Sequence, residues 1–332
     1  MSHPEMAATE DTAFHSGERA VQQRVGVLEK MAARSQVIRS FMPDQHREFF
    51  QQLPFLIVGS IDEQQQPWAS VVIGAPGFAT SPDPEHLAIH AQVLPADPLQ
   101  LNLVDNATLG LLGIEPNTRR RNRMNGKVER LSAAGWTVKV DQSFGNCPKY
   151  IQARRPGLIE NVNATAATPV VHRAQQLDTA MQALITTADT FFIATAYLGK
   201  SAGESTTASG SADRRHGVDV SHRGGKPGFV RIDDARTLTV PDFVGNFFFN
   251  TIGNLVEHPR AGLLFIDFIS GDLLYLAVTA ELIWDGAEVA AFKGAERLLR
   301  FHVERAIRVE ASLPLRWSEA EMSPALAPMG SW

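Results

Sequence analysis

The spacing of apolar residues divides the chain into a short helical beginning and a longer, strand-rich remainder. Between residues 16 and 37, the apolar positions Val21, Val25, Leu28 and Met31 recur every three to four residues, which predicts an amphipathic arm helix. A second helix is expected over residues 43–53. From Phe55 onward the pattern changes to short apolar runs separated by turn residues, which is typical of buried strands.

Each half of the chain repeats this strand-rich pattern. In the first half, strands are predicted at residues 55–61, 68–73, 87–90, 107–114, 126–131 and 136–140, with a short helix that begins at Asp97. In the second half, a helix over 173–187 precedes strands at 190–196, 218–221, 228–232, 237–240, 261–268, 273–283 and 299–309. Residues 161–168 indicate a linker, and the Ser/Gly-rich stretch 200–217 indicates a mobile loop.

Three short segments of the first half recur in the second half in the same order. The matches are Phe55–Ile57 with Phe191–Ile193, Pro76–Phe78 with Pro227–Phe229, and Gly110–Glu115 with Gly262–Asp267, at offsets of 136, 151 and 152. The jump of about 15 falls at the 200–217 loop, which would be an insertion. The repeat therefore predicts two small barrels that pack face to face and imitate a symmetric dimer within one chain.

The resulting fold prediction is a mainly β chain with helices (α+β). It consists of two tandem antiparallel β-barrels packed as a pseudo-dimer, preceded by N-terminal helices. The predicted domains are an N-terminal arm over residues 1–40, a first barrel over 41–158, and a second barrel over 159–332 that carries the ligand-binding motifs.

Composition excludes several classes of function. The net charge of −5 gives no basic field for nucleic acid or an anionic membrane, and no apolar run is long enough to span a bilayer. One cysteine excludes an internal disulfide framework or a cysteine zinc cage, and His86 and His90 lack a third ligand, so no metal site is expected. These features predict a cytoplasmic protein.

The densest polar segment of the second half is Asp219–Arg231. Its two adjacent glycines form a tight turn that could present backbone N–H groups, Ser221 and Arg223 to an anion, although a plain hairpin turn with a solvated arginine explains the same residues. The Gly-Asn pairs at 245–246 and 253–254 flank a helix start, which suits phosphate binding or simple capping of a helix beside an aromatic core.

The first half offers two further candidates. Asn146–Ile151 holds the single cysteine beside a lysine and a tyrosine; Cys147 is interpreted either as a small packing residue or as a nucleophile. The basic run Arg119–Arg123 could clamp a phosphate or form a solvated charged face. The chain lacks a nucleophile elbow, a Walker loop and a Rossmann glycine motif, which disfavours hydrolase, NTPase and dinucleotide-fold functions.

Taken in order, these segments resemble the pyridoxamine 5′-phosphate oxidase-like, FMN-binding split-barrel family. The resemblance rests on 219–225, 227–230, 241–242, 245–246, 253–255 and 258–267, together with 146–151. It spans about residues 45–315, and its more specific motifs lie in the second half. One departure is Phe247–Asn250, where family members with the oxidase activity carry basic residues, so pyridoxal phosphate synthesis is not expected.

The resemblance implies that the two tandem antiparallel barrels are split β-barrels with an FMN held between them. It also implies an oxidoreductase that transfers electrons or hydride between a reductant and an unidentified small molecule. The cofactor-binding candidates that it implies are Ser221, Arg223, Gly224, Arg231, Asn246, Thr251, Asn254, Cys147, Lys149 and Tyr150. His222 and Tyr150 are the catalytic candidates for moving a proton. NAD(P)H or another reductant is the expected electron donor, one flavin per chain is expected, and the N-terminal helix favours a homodimer.

Two alternatives remain open at this point. The chain could be a non-catalytic flavin-binding or electron-relay module, or a haem-binding split barrel.

Overall fold

The computed structural model describes residues 13–159, 169–199 and 213–332, and it confirms a mainly β fold with helices at the N-terminus. The predicted linker over 161–168, residues 1–12 and most of the predicted 200–217 loop lie outside the described residues. The predicted domain boundaries stay predictions.

Helices α1 (Ser16–Arg24) and α2 (Leu28–Ala32), a 3₁₀ turn (Ser35–Val37) and α3 (Asp44–Gln51) open the described chain. The prediction of one arm helix was wrong, because Gly26 adopts a φ of 72° and the chain turns after α1. In α3, Phe49 and Phe50 are buried in the core of the first barrel.

The first barrel is a seven-stranded antiparallel sheet in the order β2-β1-β5-β6-β7-β4-β3. Its elements are β1 (Phe55–Ile61), β2 (Pro67–Ile73), β3 (Ala79–Asp83), β4 (His86–Ile89), α4 (Leu99–Asn102), β5 (Thr108–Glu115), β6 (Arg120–Ser132) and β7 (Gly135–Gly145). After it, β8 (Pro156–Leu158) pairs with a strand near the C-terminus.

The second barrel repeats this order as β11-β10-β14-β15-β16-β13-β12, with β9 added beside β16. Its elements are β9 (Val171–Ala174), α5 (Thr179–Thr187), β10 (Thr190–Tyr197), β11 (Gly217–Gly224), β12 (Arg231–Asp234), β13 (Thr237–Phe243), α6 (Asn250–Glu257), β14 (Arg260–Ile266), β15 (Leu273–Ile283), α7 (Ala287–Ala291), β16 (Ala295–Val309) and β17 (Leu315–Trp317). The strand at the C-terminus that pairs with β8 is β17.

The pairing of strands corrects the predicted repeat by one residue. Ile57 pairs with Leu112, and Phe192 pairs with Leu264, so the offset at the first strand is 135 (192 − 57) rather than 136. Both β1 and β10 are buried along almost their whole length, so neither strand shows the alternation of apolar and polar residues that would fix a register from sequence.

The two barrels meet through equivalent surfaces. The equivalent glycines Gly110 and Gly262 have no room for a side chain, because an added Cβ would overlap the carbonyl oxygen of Val218 or Pro67 in the other barrel. Buried apolar residues of both barrels also form one shared cluster at this contact. The barrels therefore pack as the predicted pseudo-dimer.

Candidate functional site

A cavity lies where the end of the first barrel meets the second barrel. Its volume is about 850 Å³ including its open mouth. The first barrel contributes β6 and the segment after β7. The second barrel contributes β11, the end of β13, the aromatic loop that follows β13, and the first turn of α6.

Most of the residues singled out in the sequence line this one cavity, although they come from segments up to about a hundred residues apart. They are Cys147, Lys149, Tyr150, Ser221, His222, Arg223, Gly224, Asn246 and Thr251. Their convergence shows that the motifs of the two halves face each other. Their cofactor-binding and catalytic roles stay predictions.

Two predicted residues lie elsewhere, which corrects their assignment to the cavity. The Arg231 guanidinium pairs with Asp233 and Glu288 and covers the ring of Trp332 at 4.1 Å. Asn254 is fully buried one helical turn beyond the cavity residue Asn250, and its Nδ2 donates to Thr195 Oγ1 and to an Asp219 oxygen, each at 3.0 Å. Arg231 is therefore engaged outside the cavity, and Asn254 holds α6 against the barrel.

Two arginines of the basic run Arg119–Arg123 line the cavity. The sequence had left this run open as either a phosphate clamp or a solvated charged face. Arg121 and Arg123 lie on β6 and share one face of that strand, because side chains alternate in direction along a strand. Both line the cavity, whereas Arg120 covers the Phe49 ring outside it. The alternation of β6 was the signal that could have found them.

Arg123 is the most deeply held of these cations, with 4% of its surface exposed. One Nη donates to Asp219 Oδ1 at 3.1 Å and to Asn250 Oδ1 at 2.9 Å, and the other donates to Ser221 Oγ. Its Nε has no hydrogen-bond partner among the described residues. A buried donor without an acceptor is costly, so this atom indicates a place for a ligand acceptor.

The N-terminus of α6 opens into the same part of the cavity. Phe249 precedes the helix with a φ of 63°, and no side chain of the described residues caps it. Asn250, Thr251 and Ile252 form the first turn and line the cavity. The first N–H groups of a helix lack partners within the helix and carry its positive dipole end, so this turn favours an anion.

Two further arginines add positive charge to the cavity. Arg223 pairs with Asp242, and its Nε has no partner among the described residues. Arg121 donates from Nε to the Cys147 carbonyl at 2.6 Å and from Nη1 to the His222 carbonyl at 3.3 Å. Burial, together with the neighbouring Arg123 and Arg223, lowers the pKa of Arg121 to about 10, which leaves it charged at neutral pH. The excess of cations fits an anionic ligand.

The two candidate proton carriers are both neutral in this environment. Burial, and then the charges of Arg121 and Arg223, lower the pKa of His222 well below its ordinary value. Burial and nearby acidic groups such as Asp242 raise the pKa of Tyr150, whose hydroxyl donates to the Val244 carbonyl at 3.1 Å. Either side chain can therefore donate or accept a hydrogen bond, but neither provides a net charge at neutral pH.

The internal repeat relates the cavity to a second position between the two barrels, and protein side chains fill that position. Tyr275 and Leu273 occupy the positions of Arg123 and Arg121, since the paired strands place each of them opposite the equivalent residue. The Tyr275 hydroxyl donates to Asp97 at 2.9 Å, and Ser70, which is equivalent to Ser221, donates to the other Asp97 oxygen at 2.5 Å. Within the described residues, the repeat therefore builds this cationic cavity on one side only.

Comparison with known proteins finds one family model that is similar to part of the chain. Residues 42–168 match the family model described as Pyridoxamine 5′-phosphate oxidase. This part of the chain is similar to the pyridoxamine 5′-phosphate oxidase family. The matched segment is the first barrel, whereas the sequence motifs had suggested the more specific likeness in the second. No sequence among the curated proteins matches the chain.

Solved structures of bacterial proteins are also similar to part of the chain. One is a protein of Lactobacillus delbrueckii assigned to pyridoxamine 5′-phosphate oxidase, with 14% identity, a TM-score of 0.29, and coverage of 40% of this chain and 94% of that one. Group A Streptococcus HupZ is 18% identical with a TM-score of 0.28, covering 39% of this chain and 91% of that one. Scores this low carry no argument about function. Among the described residues, no helix is long and apolar enough to cross a membrane.

Proposed function

We propose that the cavity binds FMN and that the chain is a flavoprotein oxidoreductase acting on a small molecule. The observation that supports this most is the group of donors without acceptors, namely Arg123 Nε, Arg223 Nε and Asn146 Nδ2, around an uncapped helix start. A phosphate monoester supplies acceptor oxygens and negative charge for these groups. The family match supports a flavin as the ligand that carries the phosphate.

The residues around the cavity divide into two sets that fit the two ends of such a cofactor. Arg123, Ser221 and the first turn of α6 would hold the phosphate, because they combine charge, hydroxyls and free backbone donors. Lys149 and the aromatic side chains of Tyr150, Phe243 and Phe247 would contact the ring end.

The bound flavin would supply the hydride or electron transfer, and the protein would supply orientation and hydrogen bonds. Phe247 and Phe249 line the cavity, and the segment Phe247–Phe249 contains no basic residue. These two rings would exclude water and contact an apolar or aromatic part of a substrate rather than a second phosphate group.

Equilibrium binding of FMN and riboflavin, followed by flavin fluorescence, tests the proposal. Wild-type protein should bind FMN at least tenfold more tightly than riboflavin, because charge-assisted hydrogen bonds to the phosphate each contribute about 1.5–3 kcal/mol. Arg123→Met should remove most of this preference. Arg231→Met is the matched control, since Arg231 lies outside the cavity, and it should leave the preference intact.

The outcomes separate the candidate functions. Equal affinity for FMN and riboflavin would mean that Arg123 does not bind the phosphate. If the protein binds neither flavin but shows a Soret band with haemin, the haem-binding alternative is favoured. If the protein binds flavin but NAD(P)H does not bleach the flavin under anaerobic conditions, the electron-relay alternative is favoured over an NAD(P)H-dependent enzyme. The same holds if only other reductants bleach the flavin.

A further inference from the structure

The N-terminal helix α1 lies directly against α6, the helix whose first turn lines the cavity. An added Cβ at Gly17 would overlap the carbonyl oxygen of Gly253, and one at Gly253 would overlap the backbone of Glu18. Because both positions are glycine, the two backbones touch, and His15 and Glu18 enter the second barrel. Both side chains are buried there, with 2% and 3% of their surfaces exposed.

Glu18 is connected to the cavity through a single residue. One Glu18 carboxylate oxygen accepts from the Nδ2 of Asn250, and the other accepts from the backbone N–H of His15 at 2.9 Å. The Oδ1 of the same Asn250 accepts from Arg123 at 2.9 Å. Glu18 therefore lies two hydrogen bonds behind the cation that faces the cavity.

A second path closes this connection into a ring. The Nε2 of His15 lies 2.8 Å from Asn254 Oδ1, and Asn254 Nδ2 donates to one oxygen of Asp219 at 3.0 Å. The other oxygen of Asp219 accepts from Arg123 at 3.1 Å. The ring joins the N-terminal helix, the second barrel and the first barrel, so α1 belongs to the structure that positions Arg123.

The titratable side chains of this ring have pKa values that are shifted in different directions. Glu18 faces Asp219 from β11 and Arg123 from β6, and Arg215 interacts with it from the segment before β11. Burial, and then the charge of Asp219, raise the pKa of Glu18 to about 8. Burial lowers the pKa of His15 to about 4, although Asp219 and Glu257 oppose this change. At neutral pH, Glu18 is therefore mainly protonated, and Asp219 is the carboxyl group that Arg123 contacts directly.

We propose that Glu18 is a positioning residue of the anion site: through Asn250 it orients Arg123, and its own charge sets how strongly Arg123 attracts a phosphate. This inference rests on the proposed FMN site. When Glu18 is protonated, the positive charge of Arg123 is only partly balanced and is available to the ligand. When Glu18 loses its proton, two carboxylates face Arg123, and the cavity becomes less attractive to an anion.

The sign of the pH dependence follows directly. The affinity for FMN should fall as the pH rises from 7 to about 9, because Glu18 ionises over this range. The phosphate of FMN does not cause this fall, since its second pKa near 6 leaves it mostly ionised at pH 7, and its further ionisation at higher pH would strengthen binding to the cations. By reciprocity, binding of FMN near pH 8 should be accompanied by uptake of a proton.

FMN titrations of the full chain at pH 7.0, 8.0 and 9.0 test the inference. Wild-type affinity should weaken about fivefold or more across this range. Glu18→Gln keeps the shape and an accepting oxygen without the charge, so its affinity at pH 7 should stay close to wild type and its pH dependence should disappear. Ser16→Ala is the control, because Ser16 also bonds to α6, through Glu257, but at the exposed surface. It should keep the wild-type pH profile.

A second measurement covers the case in which Glu18→Gln does not fold. Calorimetry of wild-type protein with FMN at pH 8, in two buffers of different ionisation enthalpy, should show net proton uptake, and little uptake at pH 6.5. Equal pH profiles for wild type and Glu18→Gln, or no proton uptake at pH 8, would overturn the role of Glu18 while leaving the FMN site intact. No FMN binding at any pH would overturn the proposed function itself.

Discussion

Asp97 is buried at the position that the internal repeat relates to the cavity, where it contacts Tyr275 of the second barrel. The effect of its charge on the free energy of unfolding tests this account of the second position quantitatively. Asp97 accepts hydrogen bonds from Ser70, from the backbone N–H of Leu99 at 2.8 Å, and from Tyr275. Burial raises its pKa from 3.8 to about 6, and these hydrogen bonds offset only part of that shift. The folded protein therefore favours the protonated form of Asp97.

The magnitude follows from the shift. A change of about two pH units, at 1.36 kcal/mol per unit, corresponds to about 3 kcal/mol between the two protonation states. Because the pKa in the folded state lies above that in the unfolded state, this contribution is fully present below pH 4. It is lost as the pH rises through 6. At pH 7.5 the ionised Asp97 therefore lowers the free energy of unfolding by about 3 kcal/mol relative to a neutral side chain.

Asp97→Asn removes the charge and keeps the size of the side chain. The free energy of unfolding of the variant, relative to wild type, should rise by about 3 kcal/mol between pH 4 and pH 7.5. Urea unfolding followed by tryptophan fluorescence and by circular dichroism measures it, and the coincidence of the two signals tests for a single transition. Asp105→Asn is the control, because Asp105 is exposed.

The reasoning would be refuted by a difference between Asp97→Asn and wild type that is the same at both pH values. That result would mean that the hydrogen bonds to Asp97 fully compensate its burial.

Two other predictions concern the barrel contact and the cavity. Gly262→Ala should lower the free energy of unfolding by about 2–3 kcal/mol, because its Cβ would overlap the Pro67 carbonyl of the first barrel. Gly157→Ala is the control and should have little effect, because its Cβ meets open space. Equal thermal midpoints for the two variants would contradict this account of the contact. Saturating FMN should slow alkylation of Cys147 by iodoacetamide several-fold, because Cys147 lines the cavity. The signal is specific, since Cys147 is the single cysteine of the sequence. An unchanged rate would mean that the flavin binds elsewhere.

Local patterns in the sequence were sufficient to predict most of the longer strands, the internal repeat and the class of fold, but they missed the short strands β3, β8, β9 and β17. Strand length, turn residues and repeated glycines are local properties, and each barrel repeats them in the same order. The errors arose where local pattern carries no information. The register of β1 was displaced by one residue because that strand is buried on both faces, and the arm helix was interrupted by a backbone turn at Gly26.

The tertiary structure decided which polar residues share the cavity. From sequence, Arg231 and Arg223 were equivalent candidates, but packing gives Arg231 partners in Asp233 and Glu288 and leaves Arg223 at the cavity. Arg123 had an undecided role until β6 placed it opposite Ser221 and Asn250. Glu18 carried no signal at all in the sequence.

The physical reason is that charge and burial acquire meaning only from partners. The sequence by itself determined the repeating scaffold and the residue types that can hold an anion. Whether a given arginine faces solvent, a carboxylate or a ligand depends on contacts between segments more than a hundred residues apart, such as Glu18 with Asn250. Those contacts, and therefore the one-sided cavity, exist only once the two barrels and the N-terminal helix have packed together.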